Sequence, residues 1–167
     1  MDTGKRILRT IASQLREKNL FLATAESCTG GLLGHLITNT PGSSDYYLGG
    51  QITYSNYAKH IWLDVPLKIL ETYGAVSRET VLAMANGIRK AFSGKVEINK
   101  IVGVSISGIA GPAGGTPTKP VGTVWISVST KNRENAYHHQ FDGSRNTIKY
   151  KSALQALDIL SSEIINL

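Results

Sequence analysis

Three segments of this 167-residue chain carry residue types that do chemistry together. Ala25-Glu26-Ser27-Cys28-Thr29-Gly30-Gly31 sets a hydroxyl beside a thiol and ends on two glycines. Tyr54-Ser55-Asn56-Tyr57-Ala58-Lys59 sets an amine among aromatic side chains. The run from Ser107 to Thr123 is rich in glycine and proline and offers backbone donors in place of side chains. A nucleophile, a base and a backbone-lined cradle are the ingredients of acyl transfer. The chain reads as an enzyme.

Ser27 follows an apolar run and precedes a helical pattern, so it belongs to a strand-turn-helix junction. The N–H groups of Thr29, Gly30 and Gly31 at the start of that helix are expected to face whatever sits beside the hydroxyl, an oxyanion or a phosphate. The plain alternative makes Ser27 only an N-cap. Cys28 competes for the nucleophile's role, because thiolates at helix N-termini are activated and Glu, Lys and Cys form the working set of several amide-hydrolysing enzymes. Adjacent side chains in an extended turn point opposite ways, however, so Ser27 and Cys28 are not expected to share a pocket. Ser27 is the expected nucleophile and Cys28 a small packed residue.

Lys59 can act as a base only if its amine is held well below the usual value of about 10.4, for which partial burial is the ordinary means. Tyr54, Tyr57 and Trp62 are near enough in sequence to supply a dry wall. The plain alternative is a surface lysine in a loop. Short-chain dehydrogenase chemistry is excluded here, since position 55, four residues before Lys59, is serine and not tyrosine. In the third segment Gly108, Ala110, Gly111, Gly114 and Gly115 are candidates to enclose a ligand. That loop matches neither the dinucleotide fingerprint nor a P-loop.

The elements that must position these groups alternate along the chain. Residues 3 to 17 place Ile7, Leu8, Ile11, Ala12 and Leu15 on one helical face. Leu20 to Thr24 reads as a buried strand, Thr29 to Thr38 as the next helix, and residues 46 to 54 as a strand in which Gly49-Gly50 suggests a bulge or a close approach. Pro66 opens a brief helix. Ser77 caps a longer one with Val81, Met84, Ala85, Ile88 and Phe92 as its buried stripe. Ile101 to Ser107, Thr123 to Ser129 and Ala136 to Phe141 are strands, the last two paired antiparallel, and a final helix from Ser144 buries Leu154, Leu157, Leu160 and Ile164. This predicts an α/β fold, a mixed sheet with helices on both faces.

The chain is long enough to bury a core without metal or disulfides. With 18 Lys+Arg against 12 Asp+Glu the net charge is +6, but the basic residues occur singly or in pairs and are not interleaved with aromatics, so a nucleic-acid partner is not expected. Cys28 is the one cysteine, which fits a reducing compartment, and no 18-residue apolar stretch occurs, so a cytoplasmic protein without a membrane partner is expected. His35, His60, His138 and His139 have no carboxylate or thiol at ligand spacing, so neither metal nor cofactor is expected. His138 and His139 fall on opposite faces of a strand, one exposed and the other packed.

Taken together, Ala25 to Gly31, Pro41-Gly42-Ser43-Ser44, Tyr47-Leu48-Gly49-Gly50, Tyr54 to Lys59, Gly74-Ala75-Val76-Ser77 and Ser107 to Thr123 resemble, in collinear order, the C-terminal domain family of the competence/damage-inducible proteins. The resemblance implies one three-layer α/β/α domain over residues 1–167 with a mixed, mainly parallel sheet. It also implies hydrolysis of the carboxamide of nicotinamide mononucleotide, a small-molecule substrate, to nicotinate mononucleotide and ammonia. The family's serine falls on Ser27 and its tyrosine and lysine on Tyr54 and Lys59. Longer relatives carry a nucleotide-binding-like domain ahead of this one. Ala113 and Thr118 stand where such loops carry Gly and Glu, and Ser144 and Lys149 where the last helix carries Asp and Arg, departures that bear on substrate affinity. On this footing Ser27 attacks, Lys59 takes and returns the proton, Thr29 to Gly31 hold the oxyanion, Arg145 is the candidate for the 5′-phosphate, and a homo-oligomer, dimer or higher, is expected.

Overall fold

A computed structural model describes residues 3–94 and 96–167. Helix α1 (Thr3–Glu17) leads into strand β1 (Phe21–Glu26), followed by α2 (Leu32–Thr38) and β2 (Tyr47–Ile52). Three helices then run in succession, α3 (Asn56–Leu63), α4 (Leu67–Tyr73) and α5 (Arg78–Ala91). Strands β3 (Ile101–Gly108), β4 (Thr123–Ser129) and β5 (Glu134–Gln140) complete the sheet before the long α6 (Arg145–Ile165).

The sheet has the order β2-β1-β3-β4-β5. β1 pairs parallel with both β2 and β3, whereas β4 pairs antiparallel with β3 and with β5. Four strands therefore run one way and β4 alone runs against them, which is the mixed, mainly parallel sheet expected. The strands of the centre are continuous apolar or small runs because both faces are covered. One core packs α1, α2 and α6 against Leu22, Val104, Ile106, Val124 and Ile126. The other packs α3, α4 and α5 against Ala23, Ala25 and Ile101.

Chain direction places the site. From β1 the chain goes through α2 to β2 on one side, and from β3 through the 109–122 loop to β4 on the other. The carboxyl ends of β1 and β3 thus diverge at a topological switch point, the crevice where α/β sheets bind ligands. Ser27 directly follows β1 and Gly108 ends β3.

The expected bulge is present: the register slips between Leu22 and Ala23, where Leu22 pairs with Tyr47 and Ala23 with Gly49. A side chain at Gly50 would collide with the Thr24 hydroxyl, so the close approach is present as well. Ser77 caps α5 by accepting the Thr80 N–H at 3.2 Å, and Val81, Met84, Ala85 and Ile88 are buried as the stripe predicts, with Phe92 half-buried. In α6 Leu157, Leu160 and Ile164 are buried while Leu154 is half-buried. His138 is exposed and His139 half-buried, stacked on Phe141.

Of the boundaries that differ from the sequence reading, two bear on the site. β1 continues to Glu26, and α2 begins at Leu32 and not at Thr29, because Gly30 and Gly31 adopt positive φ (62° and 97°) and hold the chain in a turn. Asn56–Leu63 is a helix where no regular structure was assigned, capped by Ser55, whose hydroxyl accepts the Ala58 N–H at 3.0 Å.

Candidate active site

α3 is built inside out. Its buried side carries Lys59 (0% exposed) and Leu63, one turn apart, while Tyr57, Ile61 and Trp62 face outward, 73%, 49% and 63% exposed. An amphipathic helix normally does the reverse. The helix is pressed inward at its end by Gly87 of α5, where any side chain would collide with the Leu63 carbonyl. Lys59 is consequently carried under the sheet's carboxyl edge rather than left in solvent.

Its ammonium meets three oxygens. Nζ donates to the Thr53 carbonyl at 2.8 Å, to the Tyr54 carbonyl at 3.1 Å, and lies 3.0 Å from Ser27 Oγ. No carboxylate is among these partners. Burial without a counter-charge disfavours the charged form, and it pushes the Lys59 amine down from 10.5 to about 8, against a smaller opposing pull from Cys28. A tetrahedral amine has three such directions besides its carbon. With two N–H bonds fixed on carbonyls, the third direction, toward Ser27, holds the lone pair once the amine is neutral. The geometry therefore sets an amine of lowered pKa against a hydroxyl 32 residues away in sequence.

Ser27 itself is free for this. Gly31, not Ser27, occupies the cap position of α2, so capping makes no claim on its hydroxyl. The amides that were expected to form the oxyanion cradle are largely committed elsewhere. Gly30 N–H donates to the Ser27 carbonyl at 3.1 Å, and Gly31 N–H donates to Glu26 Oε2 at 3.0 Å. The Glu26 carboxylate also accepts Leu33 N–H at 3.1 Å and Gly34 N–H at 2.8 Å, closing the N-terminal donors of α2. Of the Thr29–Gly31 trio only Thr29 N–H remains without an acceptor among the described residues.

These hydrogen bonds tie Glu26 to backbone, which speaks against a Glu-Lys-Cys set. Cys28 lines the pocket together with Ser27, contrary to the expectation that the two would face apart. The thiol is nonetheless buried at 5% exposure, and burial pushes it up to about 12, so it stays protonated.

The hollow around Ser27 has a volume of about 140 Å³ and is lined by Tyr54, Ala75, Val76, Ser107, Gly108 and Arg145 besides Cys28 and Ala110. Gly108 and Ala110 are thus brought to the site as expected. Gly111 reaches it through its carbonyl, which accepts Arg145 Nη1 at 2.6 Å, while Arg145 Nη2 donates to the Tyr54 hydroxyl at 2.9 Å. Arg145 roofs the pocket by tying loop to ring. Tyr54 orients Lys59 through its carbonyl and not through its hydroxyl. Gly114 and Gly115 do not line the pocket: Gly115 packs against the Val121 backbone, and Gly114 lies near Ile109. Thr29, Gly30 and Gly31 line a separate, neighbouring hollow.

Sequence reasoning missed the Thr53 and Tyr54 carbonyls, which no residue type announces, and Ser107, whose hydroxyl donates to the Ala75 carbonyl at 2.7 Å and joins the strand end to the opposite wall. The recurrence of Gly74 to Ser77 in the resemblance was the available signal for that wall.

Residues 5–164 match the CinA C-terminal domain. The chain belongs to that family. It is 47% identical over 146 residues to a "Putative competence-damage inducible protein" of Moorella thermoacetica, covering 87% of this chain and 34% of that relative. It is 45% identical over 157 residues to a "CinA-like protein" of Syntrophotalea carbinolica, covering 94% and 37%. The chain thus spans about a third of the length of these curated relatives. Among solved structures it superposes with a TM-score of 0.90 and 27% identity on a CinA superfamily protein from Klebsiella pneumoniae, over 99% of this chain and 100% of that one. The α/β fold with its mixed five-stranded sheet is the fold of this superfamily. Among the described residues no helix is long and apolar enough to cross a membrane.

Proposed function

We propose that this domain is an amidohydrolase that converts nicotinamide mononucleotide to nicotinate mononucleotide and ammonia by a Ser-Lys mechanism. One observation carries it: a lysine without a counter-ion, excluded from water, held 3.0 Å from a pocket-lining serine by two carbonyls. The neutral Lys59 amine takes the Ser27 proton as Oγ bonds to the carboxamide carbon. The oxyanion that forms would accept from the Thr29 N–H, an effect worth ~10²–10³ in rate per donor in other hydrolases. Lys59 then protonates the leaving nitrogen, the C–N bond breaks, and ammonia departs from an acyl-serine ester. Water attacks that ester while Lys59 accepts its proton and returns one to Ser27 Oγ, releasing the acid.

Ammonia release from a panel of pyridine amides tests the reading. Ser27→Ala and Lys59→Met are expected to abolish turnover, and Cys28→Ala to retain it within a few-fold. Turnover lost only in Cys28→Ala would transfer the role to the thiol. Nucleotide binding with no ammonia from the wild type would leave a binding module.

For the expected partner, a second copy of the chain, the surface we propose is the outer face of α3, with its exposed Tyr57, Ile61 and Trp62. Aromatic side chains bury ~150–250 Å² each, so Tyr57 and Trp62 at their exposures, with Ile61, supply roughly a third to a half of the ~800 Å² per partner of a stable interface. Sedimentation is expected to show a dimer that Tyr57→Glu with Ile61→Glu dissociates, and a monomeric wild type would overturn the pairing.

A further inference from the structure

Helices α1, α2 and α6 cover one face of the sheet, and α6 packs against both of the others. The three do not close on one another completely. Between them lies a pocket of about 350 Å³, and no residue that lines it also lines the hollow around Ser27. Its size falls within the ~300–1,000 Å³ of an ordinary small-molecule site, which the Ser27 hollow does not reach.

The apolar part of the lining comes from all three helices. Leu8 of α1 and Leu157 of α6 are buried, whereas Leu36 of α2 and Leu154 of α6 are only half-buried and leave hydrocarbon facing the space. Leu154 belongs to the stripe of α6 that periodicity assigns to the core, so the fold stops short of covering a side chain it has positioned inward. The ring of Tyr150, one turn before it, is exposed on the same pocket.

The charged part comes from α1 alone. Lys5 and Arg9 line the pocket, four residues apart on one helix, and both are exposed. Neither side chain makes a hydrogen bond or ion pair among the described residues, and no carboxylate lines the pocket among them. Arg16, two turns farther along the same helix, is by contrast paired with Asp45 at 3.1 Å. Like charges at a four-residue spacing repel and weaken the helix that bears them. Here the pair gains nothing inside the protein to offset that repulsion, and a negative group set between the two cations would relieve it.

The two halves of the lining together select a ligand. Charge alone would suit any inorganic anion and gives no use to the leucines; the leucines alone would suit any neutral hydrocarbon and give no use to the cations. An arginine holds a carboxylate on two parallel N–H bonds, and a lysine adds a point charge beside it. We infer that the pocket between α1, α2 and α6 binds a small organic carboxylate with a hydrocarbon body, its carboxylate between Lys5 and Arg9 and its body against Leu36, Leu154 and Leu157. This second site is independent of the amidase reading.

Octanoate is the probe, with acetate as the charge without the body and octan-1-ol as the body without the charge. Titration calorimetry is run on the wild type, on Lys5→Met with Arg9→Met, and on Leu36→Trp, whose larger ring fills the pocket. Octanoate is expected to bind the wild type, and acetate and octan-1-ol at least ~10-fold more weakly. The double methionine variant is expected to lose ~10–100-fold in octanoate affinity, the worth of hydrogen bonds to a charged group, and Leu36→Trp to lose binding. Both methionines replace exposed side chains, so that variant keeps its fold whatever becomes of Leu36→Trp. No octanoate binding by the wild type, equal binding of octanoate and octan-1-ol, equal binding of octanoate and acetate, or octanoate affinity unchanged in the double methionine variant would each overturn the site.

Discussion

Two buried cations hold the two ends of this sheet, and they are bound by nearly the same recipe. Lys59, at the carboxyl ends of β1 and β3, meets two carbonyls and the hydroxyl of Ser27. Arg89, at the opposite end, donates to the carbonyls of Ile101 at 2.8 Å and Ile98 at 3.1 Å and to the hydroxyl of Ser129 at 3.0 Å. Neither has a carboxylate among its hydrogen-bond partners. Burial pushes both down, Arg89 against a weak opposing pull from Glu134. What separates them is whether the cation can release its proton and whether the serine can be reached. Guanidinium stays charged under all ordinary conditions, whereas the Lys59 amine near 8 exchanges its proton close to neutrality. The Arg89 assembly can only clamp, whereas the Lys59 assembly can give up its proton, as the proposed base must.

The largest effect should come from erasing that difference. Lys59→Arg keeps a buried cation but removes the titration, so kcat for ammonia release is expected to fall by ~10³-fold or more, as in Ser27→Ala. A folded, fully active Lys59→Arg would show that the proton of residue 59 does not move during turnover.

The reverse experiment is the next in size. Arg89→Met leaves two carbonyls and Ser129 without their donor, which is expected to cost ~2–4 kcal/mol in denaturant unfolding while kcat stays near wild type. Loss of activity with unchanged stability would place Arg89 in the chemistry and break the contrast.

pH sharpens it further. With the amine needed neutral, the rate should climb about tenfold per pH unit below 8 and level off above it. Stability follows with a definite sign. Between about 8 and the unfolded value near 10.4 the unfolded chain binds more protons than the folded one, so stability rises with pH across that window, by up to ~3 kcal/mol. Below 8 the full cost of burying the charge is present. Lys59→Met should flatten this dependence and Arg89→Met should leave it, in unfolding measured from pH 7 to 10.5.

The contrast also explains what could be read in advance. β4 was legible over Thr123–Ser129 to the residue, and the cap at Ser77 to the position, because local propensity and tertiary demand agree there. α3 was not legible. Hydrophobic periodicity would turn Tyr57, Ile61 and Trp62 inward and Lys59 out, and the fold does the opposite in order to dry the amine. The role of Glu26 was likewise hidden, since nothing in its sequence shows that three amides at the start of α2 would fold onto it. Ser27 and Lys59 could be named from type and resemblance. The two carbonyls that hold the Lys59 amine belong to backbone, and side-chain identity is silent about them.

The smallest expected effect concerns the second serine. Ser129 holds the same place toward Arg89 that Ser27 holds toward Lys59, but it is 0% exposed and donates its own proton to Asn86 Oδ1 at 2.9 Å. Ser27 is in contact with a hollow. Ser129→Ala is therefore expected to cost only ~1 kcal/mol in unfolding and to leave kcat and KM unchanged, whereas the same change at position 27 removes turnover and should move stability little. If both serines proved dispensable for ammonia release, pairing a hydroxyl with a buried cation would be no more than packing at either end of the sheet.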